Sequence, residues 1–361
     1  MEEKKVAGII TGNALDEINA CVAIIRDDLT FQIIDTISIG FDIETKATIS
    51  DIKENKASLK DICKINFKLA QLFSSCIKEL ATKPDIIASG GYTVCHLPNC
   101  ATLNLGDIST IANLTNTLTI GDFGASDIAA GGSGNNLFPF CDEVIFGRDK
   151  TRCINSLGAI SSVTILDATG RTSSFDTGPA NILLDYFAQH LFQQKCDFEG
   201  RLAYQGHVDD IWLNKLLNHP FYQKSPQKNV SQEDFGTYYA SRILNSAPTS
   251  KYDIMATISA LTVKSIYNAY NQFIFDKLKP KEIIFTGGGT QNRYIMNLLE
   301  KHFYPTKIKT LDDFQIEDKY KKALCFAILG YCTYNQIPNN LPSCTGASRP
   351  VVMGKIAHPS L

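Results

Sequence analysis

Asp176 stands in the stretch FDTGPAN, at the end of a strand-like run and ahead of a glycine turn and a helix start near Asn181. A carboxylate placed there can take a proton or hold a metal-bound water, and an Asp there can equally cap its own turn. The stretch IIFTGGGTQN sets Gly287, Gly288 and Gly289 between an apolar strand and a helix. Three missing Cβ atoms let a flat ring or a phosphate approach the backbone, whereas a tight strand-to-helix turn needs only one glycine. GDFGASDIAAGGSG places Asp122 and Asp127 five residues apart beside further glycines. That pattern suits a polar substrate and suits solvated turn acids equally well. LPSCTGAS adds the hydroxyls of Ser343, Thr345 and Ser348. Near the N-terminus, AGIITGNALDEINACVAII reads as a hairpin bending at Gly12-Asn13. Some hairpins of this kind cradle phosphate with backbone N–H groups and hydroxyl side chains. Here Asn13 and Ala14 follow the glycine, so the hydroxyls are missing.

The elements that must position these groups alternate in period along the chain. Residues 6–40 carry strand-like runs, with FQIIDTISI the clearest after the hairpin. Over 57–81, Leu59, Ile62, Leu69, Leu72, Phe73, Cys76 and Leu80 recur at helical spacing, and Lys83-Pro84 follows as a stop. DIIASGG is a short buried strand ending in glycines, and RCINSLGAISSVTILD reads as strand, turn, strand. The polar stretch 219–236 reads as surface loop, a long helix spans about 253–277, and KEIIFTGGGTQNRYIMNLL is strand, glycine loop, helix. Another helix is expected near 319–334, followed by coil.

Bulk properties exclude several function classes. The chain has 361 residues, enough for two domains, and is 44% hydrophobic and 20% charged. A formal net charge of −2 gives no reason to expect nucleic acid or an anionic membrane as partner. No run approaches the roughly 18 apolar residues of a membrane span, and MEEKKVAG lacks the apolar core of a secretory signal, so a cytoplasmic protein is expected. Eleven scattered cysteines without CxxC read as reduced, mostly buried thiols, and six histidines without ligand spacing argue against structural zinc.

The order of the long motifs decides more than any one of them. With GDFGASDIAAGGSG, FDTGPAN, FTGGGTQN and LPSCTGAS, supported by TLNLGD and LNHPFYQKSPQK, the chain resembles the anhydro-N-acetylmuramic acid kinases from Ala7 to Ala357. These are members of the actin/hexokinase/Hsp70-like ATPase superfamily. The resemblance implies an α/β, two-lobed fold with a mixed five-stranded sheet and helices in each lobe. It places lobe I at 1–121, completed by about 335–361, and lobe II at 122–334. It implies ATP and Mg²⁺, a small-molecule amino sugar as substrate, and is compatible with a homodimer. Asp176 takes the place of the family acid that activates water for attack at the anomeric carbon. Gly12, Asn13, Ala14, Leu15, Asp16, Gly158, Gly287, Gly288 and Gly289 fall at nucleotide-side positions, with Asp16 toward the metal. Thr93, Asp107, Asp127 and Asn181 fall at sugar-side positions.

Departures from the family pattern matter as much. Where members read SGTSLDG, this chain has Thr11-Gly12-Asn13-Ala14-Leu15-Asp16-Glu17, and where they read HGQT it has Gly90-Gly91-Tyr92-Thr93. The second phosphate hairpin, NIGGIAN in the family, appears as Asn155-Ser156-Leu157-Gly158-Ala159-Ile160-Ser161, with Leu157 expected to obstruct a phosphate. Gly124 replaces the usual arginine, and Lys322 replaces a glutamate. The ammonium of Lys322 is expected to lower the pKa of Asp176. Two readings follow: an anhydro-sugar kinase that opens the 1,6-anhydro ring and phosphorylates O6, or a catalytically impaired relative acting as a binding or partner protein.

Overall fold

The computed structural model describes residues 3–12, 17–53, 56–226, 228–230, 232–248 and 250–360. The chain divides into two compact units, Met1–Phe146 with Lys319–Leu361, and Gly147–Asp318. The division thus lies at 146/147 and 318/319, whereas 121/122 and 334/335 were expected. Aromatic contacts explain the longer first unit. Phe326 packs against Phe123 at 5.5 Å and Phe138 at 5.6 Å between ring centroids, and Lys321 pairs with Asp142 at 2.8 Å.

In the first unit, β1 (Glu3–Thr11), β2 (Glu17–Arg26) and β3 (Phe31–Gly40) form an antiparallel meander. β4 (Ile86–Ser89) lies parallel to β1, while β5 (Tyr92–Leu97) and β6 (Ala101–Leu105) form a separate ribbon. β7 (Leu118–Gly121) is parallel to β4. The C-terminal strand Lys355–Ala357 then pairs antiparallel with β7 through Ile356 opposite Ile120. This sheet is therefore six-stranded, one more than expected, because three residues near the C-terminus close its open edge. Both faces of the central strands are buried, with Ala20, Cys21, Val22 and Ala23 fully inaccessible. The helix Leu59–Lys78 buries Leu69 and Phe73, and starts from a Ser58–Asp61 capping box. The helix Asp318–Tyr334 comes close to the sheet at Gly8, where a Cβ would lie 1.7 Å from the Ala323 carbonyl oxygen.

The second unit holds β8 (Arg152–Leu157), β9 (Ile160–Leu166), β10 (Thr172–Pro179), β11 (Glu282–Thr286) and β12 (Lys307–Lys309). Their order is β10-β9-β8-β11-β12, antiparallel over the first three and parallel over the last three, the expected mixed five-stranded sheet. The helix Lys251–Phe273 contributes fourteen buried residues to this unit's core. One expectation fails in part here. The stretch 219–236 is surface loop only in part: residues 223–226 are exposed, but Phe221 and Phe235 are fully buried and pack 5.4 Å apart. Its polar composition hides an aromatic cluster, completed by Tyr222, Tyr239 and His219, that a composition average cannot register.

At the first residue of β11, Glu282 is 4% exposed and meets Arg152 Nε at 2.5 Å, Lys309 Nζ at 2.8 Å and Lys150 Nζ at 3.4 Å. Arg152 also pairs with Asp149 at 2.5 Å. Hydrogen bonds and charge from Lys309 and Arg152 overcome burial and hold the Glu282 carboxyl down at about 2. None of the eleven cysteines is in a disulfide; Cys63, Cys95, Cys100 and Cys196 are exposed and the others buried. Among the described residues no helix is long and apolar enough to cross a membrane.

Candidate functional site

Asp176 lies on β10 at a break in register. It faces Ser162 on β9, but the next pair is Gly178 with Ser161, so Thr177 is the extra residue of a bulge. Bulges re-aim neighbouring side chains. This one is held from below by a buried hydroxyl chain: Thr177 Oγ1 donates to Ser161 Oγ at 2.7 Å, and Asn155 Nδ2 donates to the same oxygen at 2.8 Å. Gly178 has φ +148°, and a Cβ there would come 2.9 Å from Ser265 Oγ and 3.1 Å from a ring carbon of Tyr222. Val230, between Tyr222 and Phe235 in the chain, donates its N–H to Asp176 Oδ2 at 2.7 Å. In the other direction Asp176 N–H donates to the Lys228 carbonyl at 3.0 Å.

Burial raises the Asp176 carboxyl to about 6, against the opposing pull of the Val230 N–H and the Lys228 ammonium. Such a group is ionised at neutral pH yet markedly more basic than an ordinary carboxylate, which suits general-base chemistry. The cation that acts on it is Lys228. Lys322 is exposed on the helix Asp318–Tyr334, and the preceding residue Lys321 is the one turned inward.

The three glycines after β11 do different work. A Cβ on Gly287 would lie 2.8 Å from the Leu157 carbonyl oxygen, and one on Gly289 would lie 2.7 Å from Leu157 Cβ. Gly287 has φ +93°, and its N–H donates to Asp318 Oδ1 at 2.6 Å. Gly288 is exposed, with nothing within 4 Å of a Cβ built on it. Two glycines therefore serve packing against the end of β8, and one presents open backbone. Leu157 itself is 1% exposed, within the core. We expect Gly289→Ala to lower stability by about 1–3 kcal/mol through overpacking. Gly288→Ala should melt like the wild type while weakening MgATP binding, a contrast that thermal melts and calorimetric titration read directly.

Gly158 and Asn181 are brought together. The carbonyls of Gly158 and Ala159, at the β8–β9 turn, accept from the N–H groups of Asn181 (3.0 Å), Ala180 (3.1 Å) and Ile182 (3.0 Å). The Asn181 side chain donates to the Leu157 carbonyl at 3.2 Å. The first amides of the helix Asn181–Phe192 are thus satisfied by the hairpin turn.

Three sugar-side candidates belong to the first unit. Asp127 is fully buried, its two oxygens accepting from Gly134 N–H at 2.9 Å and Asn340 Nδ2 at 2.8 Å. It joins the glycine-rich loop to the LPSCTGAS region, where Ser348 Oγ donates to the Ala130 carbonyl at 2.9 Å. Asp107 caps the helix Ile108–Thr115 by accepting from Thr110 N–H and Oγ1, both at 2.7 Å. Thr93 is exposed on β5 and donates to Asn104 Oδ1 at 2.6 Å. At the mouth of the first hairpin, Thr11 Oγ1 donates to the Glu17 carbonyl at 3.1 Å, and Gly12 has open space around it. Asn13, Ala14, Leu15 and Asp16, the expected phosphate and Mg²⁺ positions, lie outside the described residues. Two departures from the family pattern are built into the packing. A Cβ on Gly90 would come 2.4 Å from Ile10 Cδ1 and from a ring carbon of Phe326, and one on Gly124 would come 2.7 Å from the Gly134 carbonyl oxygen.

Lys228 and Val230 were missed by sequence reasoning. The available signal was the aromatic pair Phe221-Tyr222 inside LNHPFYQKSPQK, an apolar anchor within a polar run.

Comparison with known proteins bears on the whole chain. Residues 4–359 match the family model described as anhydro-N-acetylmuramic acid kinase. A protein of that description from Bacillus cereus is 33% identical over 380 residues, covering 99% of this chain and 100% of its own. One from Caldanaerobacter subterraneus subsp. tengcongensis is 31% identical over 385 residues, covering 99% and 97%. Another from Clostridioides difficile is 33% identical over 372 residues, covering 97% of each.

Proposed function

Because the chain belongs to the anhydro-N-acetylmuramic acid kinase family, we propose that it opens the 1,6-anhydro ring of that sugar and phosphorylates O6, with Asp176 as the base. The reaction consumes one ATP and one water and yields the 6-phosphorylated open sugar and ADP, within cell-wall sugar recycling. Asp176 takes a proton from water as it attacks the anomeric carbon; the bond from that carbon to O6 breaks, and O6 accepts the γ-phosphoryl group. ATP with Mg²⁺ supplies the phosphoryl group and offsets its charge.

What carries this reading is the state of Asp176: half-buried, aimed by a bulge, and raised to about 6. The exposed backbone at Gly288 supports nucleotide binding on the same unit. Asp16 is proposed toward Mg²⁺, and Thr93, Asp107, Asp127 and Asn181 toward the sugar side, the buried Asp127 acting by holding its loop. A cytoplasmic homodimer is the proposed setting. The test is direct: incubation with MgATP and 1,6-anhydro-N-acetylmuramic acid, following ADP release and the sugar phosphate by mass spectrometry. Stoichiometric formation of both is expected. Nucleotide binding without either product would move the chain to the binding-protein reading.

A further inference from the structure

We propose that Lys228 is a positioning residue for Asp176, tying Phe221-Tyr222 and residues 228–230 to β10 so that one carboxylate oxygen is fixed and the other is left for water. The proposal rests on Asp176 being the base. Lys228 is 6% exposed, although it is a lysine in a run of polar residues. Its ammonium donates to the carbonyls of Phe221 and Tyr222, both at 3.4 Å, and lies over the rings of Phe221 at 4.7 Å and Phe273 at 5.1 Å. Burying an ammonium among aromatic rings is costly, and a Met or Leu would fill the same space at less cost. The cation therefore needs a reason beyond packing.

The main chain supplies it. The Lys228 carbonyl receives the Asp176 N–H at 3.0 Å, and two residues on, the Val230 N–H reaches Asp176 Oδ2 at 2.7 Å. Among the described residues Oδ1 accepts no hydrogen bond. By pinning the turn at 221–222 to its own position, the ammonium holds both of these backbone contacts in register. The charged groups acting on this centre are Asp176 and Lys224, the latter paired with Asp234 at 3.5 Å. Phe221 and Phe273 contribute ring faces. Burial, with Lys224 adding to it and Asp176 opposing, brings the Lys228 ammonium down to about 8. Its charge is therefore lost just above neutrality, and the tie should weaken there.

The test compares wild type, Lys228→Met and Lys228→Arg as full chains with MgATP and 1,6-anhydro-N-acetylmuramic acid. For the wild type, kcat/KM should fall on the acid side near pH 6 and on the alkaline side near pH 8. In Lys228→Met the alkaline limb should vanish and the acid limb move up by about one pH unit, as an opposing charge is removed. kcat should drop by roughly tenfold or more with KM little changed, as expected for lost orientation. Lys228→Arg should keep the acid limb and push the alkaline limb beyond about pH 10. A second readout needs no turnover: amide exchange at Asp176 and Val230 in the substrate-free protein should quicken in Lys228→Met, and in the wild type above pH 8 beyond the ordinary base dependence of exchange. Unchanged exchange and superimposable profiles overturn the proposal. A wild type without turnover but with the expected exchange pattern overturns the functional reading and leaves the positioning role standing. Should Lys228→Met fail to fold, Lys228→Arg and the alkaline limb decide: a limb near pH 8 that persists in the arginine variant refutes the role.

Discussion

Asp176→Asn should lower kcat by about 10²–10⁴-fold, the usual contribution of a general base, and leave the protein folded. The amide keeps the size of the carboxyl, and its oxygen can still accept the Val230 N–H that Asp176 Oδ2 accepts at 2.7 Å. What disappears is the proton acceptor. The expected pH dependence follows from the raised value of about 6: the carboxyl is ionised above it, and kcat/KM should fall tenfold per pH unit below it. ADP release measured from pH 5 to 8, with circular dichroism as the check on folding, reads both effects. Turnover of the variant within a few-fold of wild type would remove Asp176 from the reaction.

Glu282→Gln should destabilise the second unit by about 3–5 kcal/mol, because it breaks a buried charge cluster and leaves cations without their shared partner. Arg152 stays 8% exposed with Asp149 as its remaining carboxylate among the described residues, and Lys309 loses a contact of 2.8 Å. The sign of the pH effect is also fixed. The Glu282 carboxyl is depressed in the fold to about 2, below the roughly 4.3 of an unfolded glutamate. Its contribution is complete above that higher value and disappears as pH falls through about 2. Urea unfolding of the wild type should lose stability across this window, and Glu282→Gln should show a flatter profile with a lower midpoint at pH 7. Equal midpoints at neutral pH would show that the cluster contributes nothing net.

Much of the scaffold was legible in the chain because local periodicity and tertiary burial agree there. The spacing from Leu59 to Leu80 gave a helix that the structure bounds at Leu59–Lys78, and the acid of FDTGPAN does sit on a strand ahead of the helix that begins at Asn181. The family likewise emerged from the order of long motifs, since aligned runs of specific residues carry more information than any one spacing. What stayed hidden were partners distant in sequence. Gly287 and Gly289 look like Gly288 in the chain, yet only Leu157 on another strand separates packing glycines from the open one. Asp127 and Asp176 both precede glycines, but Asn340 and Gly134 enclose the first while Val230 holds one oxygen of the second. Lys321 and Lys322 are neighbours, and a turn of about 100° per residue decides which faces Asp142. Lys228 was invisible for the same reason: composition reports that a residue is polar, but only the fold can surround it with Phe221 and Phe273 and set it beside Asp176.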